Sequence, residues 1–150
     1  MDNFQFYSPT FFEFGKGAEA KTGELVKRFG GHKALVHYGG GSVKRSGLLD
    51  RVIKSLDEAG VAHVELGGAQ SNPFSDLVYE GIELAKKEKV DFVLPVGGGS
   101  AIDSGKGIAL GVVYDGDFWD FYDGTCPVVT KALPVIPRIS LKNAQWYFLN

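Results

Sequence analysis

A glycine-rich segment near residue 100 carries residue types whose order could do chemistry. Gly97, Gly98, Gly99 and Ser100 follow a run of apolar residues and precede a segment with helical periodicity. Glycines in such a turn let a ligand approach the backbone, and the free N–H groups at the start of a helix attract anions. The pattern therefore predicts a binding site for a phosphate or pyrophosphate group. A tight strand–helix turn is the structural alternative, but three consecutive glycines exceed what one turn needs.

The spacing of these glycines excludes the two commonest phosphate-binding motifs. A dinucleotide fingerprint that starts at Gly97 requires glycine at position 102, which is Ile102. A P-loop that uses Lys106 requires glycine at position 100 and serine or threonine at position 107, where the chain has Ser100 and Gly107. The loop is therefore neither the usual fingerprint nor a P-loop.

A second glycine loop points to the 2′-phosphate of NADP. Gly40, Gly41 and Ser42 follow another apolar run, and Lys44 and Arg45 come shortly after them. Proteins that select NAD usually place an acidic side chain against the ribose 2′-hydroxyl, whereas this segment has none. A serine, backbone N–H groups and two basic side chains suit a phosphate. NADP is the expected cofactor and NAD the alternative, while a solvated basic turn is the structural alternative.

Asp103 comes three residues after Ser100 and has two interpretations. In the first turn of a helix, an acid complements the helix dipole and forms a capping-box pattern with Ser100. The other interpretation is a polar contact to the ligand beside the phosphate site. Gly105 and Gly107 follow in the same predicted helix, where each costs about 1 kcal/mol relative to alanine. That cost predicts close packing against a ligand or another backbone.

The elements that must position these loops alternate between strand and helix. Strands are predicted near 34–38, 61–66 and 90–96, and helices near 46–59, 75–88 and 101–113. The strands recur about every 28 residues, close to the length of one βαβ unit. This alternation predicts a doubly wound, parallel α/β sheet. The aromatic residues 4–14 predict one or two further strands, and residues 132–136 predict a fourth that Pro134 and Pro137 weaken.

Composition and charge exclude several classes of protein. Of the 150 residues, 44% are apolar and 23% charged, which is ordinary for a globular domain. A net charge of −2 argues against a nucleic-acid binder. The absence of a long apolar run predicts no membrane span, and the N-terminus lacks the basic start of a signal peptide. Cys126 is the single cysteine, which excludes an internal disulfide and favours the cytoplasm.

The motifs resemble those of the iron-containing, group III, alcohol dehydrogenases, and most closely the butanol dehydrogenase branch. The matching segments are Pro9-Thr10, Phe14-Gly15-Lys16-Gly17, Gly39–Lys44 with its glycines and serine, Asn72-Pro73, and residues 91–106. The resemblance covers about residues 3–135. It implies a Rossmann-like, dehydroquinate synthase-like nucleotide-binding domain at 3–136 and a divergent tail at 137–150.

The resemblance also implies roles for individual residues. The cofactor-binding residues that it implies are Gly40, Gly41, Ser42, Asn72, Gly97, Gly98, Gly99, Ser100 and Asp103. Residues 97–100 would hold the cofactor pyrophosphate, Gly40 and Ser42 would lie at the adenine-ribose end, and Asp103 would lie near the nicotinamide and the substrate. The implied activity is hydride transfer between NADP and a primary alcohol or aldehyde such as butanol.

The sequence departs from the family near residue 136. Members continue into a threonine-rich strand and a mostly helical second domain, in which one aspartate and three histidines bind iron or zinc. Residues 138–150 match no family motif, and residues 124–150 contain three basic residues but none of the chain's 18 acidic ones. The histidines, His32, His37 and His63, stand at no recognised ligand spacing. We therefore expect no metal ligands in this chain.

Two functions follow from the sequence. The first is the cofactor domain of a metal-dependent alcohol dehydrogenase, truncated near residue 136 and inactive alone. The second is a non-catalytic nucleotide-binding module; a relative of glycerol dehydrogenase or dehydroquinate synthase fits less closely. The expected partners are the nucleotide and, in the complete enzyme, a small alcohol or aldehyde, with no nucleic acid and no membrane. A homo-oligomer or self-association is expected, because a missing second domain would leave apolar surface exposed.

Overall fold

A computed structural model of the chain describes residues 11, 13, 15–70, 75–126 and 128–139. Asn72 and most of the aromatic segment at 4–14 lie outside the described residues. The strands predicted over 4–14 and the role implied for Asn72 therefore stay predictions.

Strands and helices alternate along the chain, as the hydrophobic periodicity predicts. After a short 3-10 helix, Ala18–Lys21, the elements are α1 (Thr22–Arg28), β1 (Lys33–Gly39), α2 (Gly41–Arg45), α3 (Leu48–Glu58), β2 (Ala62–Ala69), α4 (Ser75–Lys87), β3 (Phe92–Gly97), α5 (Gly99–Val113), α6 (Asp120–Asp123) and β4 (Arg138–Ile139). Within the described ranges, no helix combines the length and apolar character needed to cross a bilayer.

The strands form one parallel sheet in the order β2-β1-β3-β4. The chain passes from β1 to β2 on one side and then crosses to β3 on the other side of β1. This reversal creates a topological switch point between the carboxyl ends of β1 and β3, where open α/β sheets bind their ligands. The predicted doubly wound parallel sheet is confirmed.

Helices cover both faces of the sheet. Alternate residues of β1 and β3, such as Val36 and Leu94, pack with α1, α2 and α3, whereas Leu35 and Val93 pack with α4 and α5. Every residue of β3 is buried. A strand covered on both faces must be apolar at consecutive positions, which explains the continuous apolar run that precedes Gly97.

Two predictions at the ends of elements are wrong. Ser46 ends α2, and Gly47, with a φ of 67°, is the N-cap of α3; the Ser46 hydroxyl accepts the Leu48 N–H from one residue earlier, at 3.4 Å. The extra helix α2 leaves only Ser46 and Gly47 to redirect the chain before α3, and the left-handed conformation of Gly47 favours glycine. The fourth strand is β4 rather than residues 132–136, where only an isolated bridge between Val135 and Val93 forms.

Helices α1 and α3 cross in close contact at a buried glycine. The backbone N–H of Gly23 donates to Oγ of Ser55 at 3.0 Å, and the Ser55 hydroxyl donates to the carbonyl of Ala20 at 2.6 Å. A Cβ atom on Gly23 would collide with the carbonyl oxygen of Ser55 and with the side chain of Ala59. Neither backbone can yield without separating the two helices.

We therefore expect Gly23→Ala to lower the free energy of unfolding by about 1–3 kcal/mol, the usual cost of overpacking a well-packed interface. Gly40→Ala is the control, because a Cβ there meets no atom within 4 Å and the φ of Gly40 is −70°. Urea denaturation of both variants measures the difference. Equal stabilities of the two variants would contradict this packing.

Candidate functional site

The two glycine loops lie side by side at the switch point. Tyr38 on β1 pairs with Val96 on β3, so Gly39 and Gly97 follow at the same edge of the sheet. A Cβ atom on Gly97 would be 3.7 Å from the backbone nitrogen of Gly39. The φ of Gly97 is 149°, which side-chain-bearing residues rarely adopt. One site at this edge therefore unites loops that are more than fifty residues apart in the sequence.

Three glycines at this edge are explained neither by packing nor by backbone conformation. All 21 glycines of the chain are described, and each of the others has a positive φ or a neighbour that a Cβ would meet within 4 Å. Gly40, Gly98 and Gly99 have neither; the space beside their Cα atoms is open. Glycine at these positions exposes backbone to a group that can approach closely.

The N-terminus of α5 opens onto the same space. Gly98 is its N-cap, no side chain caps the helix, and its first turn contains no acidic residue. The 15-residue helix therefore presents uncapped N–H groups and the positive end of its dipole to the open side of Gly98 and Gly99. These features fit a phosphate or pyrophosphate group.

The capping-box interpretation of Ser100 and Asp103 is wrong. The helix begins at Gly99, directly after β3, so Ser100 is its second residue and Asp103 lies beyond the first turn. The strand and the helix share Gly98 as their only link, which leaves no position for a serine cap. Asp103 is exposed and free to contact a ligand.

Tyr122 lies near Asp103 and was not indicated by the sequence. The pKa of Tyr122 is raised, first by partial burial and second by the charge of Asp103. The ring of Tyr122 contacts the ring of Phe118. Phe118 in turn packs against Gly107 of α5, where an added Cβ would be 3.7 Å from the Phe118 ring. The sequence predicts aromatic packing at 115–123, but nothing local indicates that Tyr122 lies near enough to Asp103 for the charge to raise its pKa.

The glycines inside α5 pack against protein rather than ligand. A Cβ on Gly105 would meet the ring of Pro95, and one on Gly107 would be 3.1 Å from Cγ1 of Val78. The sequence predicts close packing at both positions against a ligand or another backbone. The structure confirms the close packing, but the neighbours are side chains of β3 and α4.

The loop after β1 offers a hydroxyl and positive charge. Gly40 is the N-cap of α2, Ser42 is exposed, and the first turn of α2 has no acidic residue. The Nζ atom of Lys44 lies 5.1 Å from the centre of the Tyr38 ring, and the guanidinium of Arg45 folds back over Gly41. Cation–π contact of this kind holds the ammonium near the end of β1.

Beneath the two loops, a buried histidine links three elements. His37 Nδ1–H donates to the carbonyl of Leu66 at 3.0 Å, and Nε2 lies 2.6 Å from Oγ of Ser104. Burial lowers the pKa of His37, and the Leu66 carbonyl opposes that shift only in part. The imidazole is therefore neutral at pH 7, and its hydrogen bonds connect β1 to β2 and to α5.

The described residues do not fit the metal ion of the family. No group of three or more histidine, cysteine, aspartate or glutamate side chains is placed to hold an ion in the part of the chain that the structure describes. His32 and His63 each lie beside one carboxylate, Asp91 at 3.1 Å and Asp57 at 3.6 Å, and His37 is enclosed in the sheet.

A parallel α/β sheet whose switch point carries two open glycine loops is typical of a dinucleotide-binding domain. The chain belongs to the iron-containing alcohol dehydrogenase family, whose family model matches residues 9–138.

Similar proteins extend this match. NADH-dependent butanol dehydrogenase A of Clostridium acetobutylicum is 44% identical over 141 residues, which are 94% of this chain and 36% of that protein. The NADPH-dependent aldehyde reductase YqhD of Escherichia coli is 36% identical over 137 residues, 90% of this chain and 34% of that protein. The crystal structure of NADH-dependent butanol dehydrogenase A from Thermotoga maritima superposes with a TM-score of 0.89 at 45% identity, covering 94% of this chain and 35% of that one. The chain thus spans about a third of the length of these relatives.

The open space at Gly98 generates a prediction about nucleotide binding. In Gly98→Val, the side chain occupies the space that a pyrophosphate requires, whereas the φ of −95° at Gly98 accommodates valine without strain. We expect the dissociation constant for NADPH to rise by more than about tenfold, with the melting temperature unchanged. Binding is measured by the fluorescence of the reduced nicotinamide. Ala62→Val, exposed at the opposite end of the sheet, is the control; an unchanged affinity in Gly98→Val would place the nucleotide elsewhere.

Proposed function

We propose that this chain is the cofactor-binding part of an NAD(P)-dependent alcohol dehydrogenase, which transfers hydride between NADP and a primary alcohol or aldehyde such as butanol. The observation that carries the proposal is the set of three glycines at the switch point, Gly40, Gly98 and Gly99, which neither packing nor backbone conformation explains. Family membership and the butanol dehydrogenases among the similar proteins support the reaction and the substrate class.

Each part of the dinucleotide has candidate partners. The backbone from Gly97 to Gly99 and the N-terminus of α5, with Ser100, would hold the pyrophosphate. Ser42, with the backbone of Gly40 and Gly41, would meet the adenine ribose. Bound in this way, the cofactor supplies the hydride acceptor or donor. Asp103 would contact the nicotinamide end, where Tyr122 would exclude water from one side.

The preference between NADP and NAD depends on the loop after β1. The similar proteins carry both names, NADH-dependent for the butanol dehydrogenases and NADPH-dependent for YqhD. In this chain an NAD-selecting acid is absent from residues 39–49, while Ser42, Lys44 and Arg45 stand at or beside the loop. A dianionic 2′-phosphate gains more from this set than a ribose hydroxyl does, which supports NADP.

We expect NADPH to bind about tenfold more tightly than NADH. Ser42→Asp should narrow or reverse that preference, because the carboxylate repels the 2′-phosphate and accepts a hydrogen bond from the 2′-hydroxyl. Ser42→Asn is the matched control, because asparagine has the size of aspartate but no charge, and it should keep the NADPH preference. Titrations of the three proteins with both nucleotides measure the ratio of the two dissociation constants. Equal affinities in the unmodified chain would refute NADP selection.

A non-catalytic nucleotide-binding module is the second candidate, and the chemistry of the described side chains favours it for this chain alone. Oxidation of an alcohol needs its oxygen polarised or deprotonated as the hydride leaves, a task that suits a bound metal ion. A catalytic zinc site uses three protein ligands. The described residues bring no such set together.

The 150-residue chain is therefore expected to bind nucleotide without turnover. The purified chain is incubated with NADP, butanol and Fe²⁺ or Zn²⁺, and reduced nicotinamide is followed by its absorbance. Full-length NADH-dependent butanol dehydrogenase A of Clostridium acetobutylicum, assayed with NAD in place of NADP, serves as the positive control, and a chelated sample of the chain serves as the blank. A metal-dependent rate above the blank would overturn this expectation and assign catalysis to the chain itself.

A further inference from the structure

His37 occupies the centre of the sheet directly below the candidate phosphate site, and its side chain is fully buried. It lies on β1 two residues before Gly39. Its two nitrogens contact the carbonyl of Leu66 on β2 and the hydroxyl of Ser104 on α5. Ser104 Oγ in turn lies 2.8 Å from the carbonyl oxygen of Ser100, in the first turn of α5. The imidazole is thus joined to the anion-binding end of the helix through one hydroxyl group.

This hydroxyl group has one hydrogen and three neighbouring acceptors when His37 is neutral: Nε2 of His37 at 2.6 Å, the carbonyl of Ser100 at 2.8 Å and the carbonyl of Ala101 at 3.4 Å. The Leu66 carbonyl accepts the Nδ1 hydrogen, so Nε2 of the neutral ring is an acceptor, as is the carbonyl of Ser100. Ser104 donates to Nε2, the shorter contact at 2.6 Å. When His37 is protonated, Nε2–H donates to Ser104 Oγ, and the freed hydroxyl hydrogen donates to Ser100. Both protonation states are therefore fully hydrogen-bonded, and they differ in the direction of one chain of hydrogen bonds.

We propose that His37 is a positioning residue for the cofactor pyrophosphate: through Ser104 it orients the first turn of α5, and it takes up a proton when the anion binds there. The proposal deepens the proposed function, on which it rests. A pyrophosphate at the start of α5 places negative charge near the buried ring and favours its charged form. The reversed hydrogen-bond chain then turns a hydroxyl dipole toward the carbonyl of Ser100.

No other charged group competes for this role among the described residues packed around the imidazole. Glu65 on β2 lies on the opposite face of the sheet, where it borders a cavity with Leu49 of α3. Asp103 on α5 is exposed, Lys106 borders a cavity with Leu133, and the acidic side chains Asp76, Glu80 and Glu83 of α4 are exposed. Pro95 on β3 pairs with His37 and carries no charge. Burial and the Leu66 carbonyl are the causes of the lowered pKa of the ring.

The direction of the pH dependence follows from that lowered pKa. In the free protein the His37 ring therefore stays neutral at pH values somewhat below the ordinary histidine pKa of about 6.5. A bound anion raises the pKa, so between the two values the complex holds more protons than the free protein. By linkage, affinity then rises as pH falls.

ADP-ribose is the probe, because its diphosphate stays fully ionised over the pH range and the 2′-phosphate of NADP, which titrates there, is absent. Isothermal titration calorimetry at about pH 6 and about pH 8, in buffers of unlike ionisation enthalpy, measures both affinity and proton uptake. We expect proton uptake at the lower pH and binding about threefold tighter or more than at the higher pH, which requires the anion to raise the pKa of His37 by at least about half a unit. His37→Gln should bind without proton uptake and lose the pH dependence. His63→Gln, at the opposite end of the sheet, should behave as the unmodified chain.

Two further measurements keep the proposal testable if His37→Gln folds poorly. The ¹⁵N shifts of the imidazole in the unmodified chain should report Nδ1–H in the free protein and a charged ring in the complex at about pH 6. Ser104→Ala removes the hydroxyl that joins His37 to Ser100 but keeps the imidazole. This variant should bind ADP-ribose more weakly and without proton uptake. Binding with no proton uptake, or with uptake that survives His37→Gln, overturns the role of His37 and leaves the proposed function standing. Absence of any ADP-ribose or NADPH binding overturns the proposed function and, with it, this role.

Discussion

The parallel pairing of β1 with β3 is the constraint on which the site depends. Because the chain winds from β1 to β2 and then reverses to β3, the carboxyl ends of two strands distant in sequence become neighbours. Each of those strands ends in a glycine loop that leads into a helix N-terminus, α2 or α5. Both helix N-termini and both open backbones therefore lie at one edge of the sheet, where open α/β sheets bind their ligands.

Close packing of α5 makes this arrangement rigid. Glycines along the helix accept the ring of Pro95 on one side and Val78 and Phe118 on another, so the helix lies close against the sheet and α4. Ser104 adds a polar contact to His37 inside that interface. The start of α5 is thus fixed by contacts on several sides, while Gly98 and Gly99 keep their outer side open. If a phosphate binds there as we propose, this packing lowers the entropic cost of binding, because the start of α5 is already ordered.

The described residues contain groups that suit a nucleotide, but no cluster of side chains that suits a metal ion. They offer open backbone, hydroxyl groups and positive charge at one edge of a sheet, which suit phosphates and ribose. Their histidines are separated, one within the sheet and two beside single carboxylates. In our proposal the described residues hold and orient the nucleotide. Because the chain spans about a third of the length of its relatives, polarising the alcohol falls in our proposal to residues outside this shared part.

Local patterns in the sequence were sufficient for β1 to β3, for α3 to α5, for the parallel α/β class and for the two glycine loops, because apolar periodicity reflects burial directly; α2 and β4 were not predicted. Cap positions were less certain: Ser46 and Ser100 fit capping patterns, but an added helix and a one-residue link moved the caps to Gly47 and Gly98. The contact of His37 with Ser104, 67 residues away, and the approach of Tyr122 to Asp103 were decided only by the tertiary structure. Such contacts depend on the order of the strands and on how closely α5 packs against them, and no local spacing of residues encodes that order.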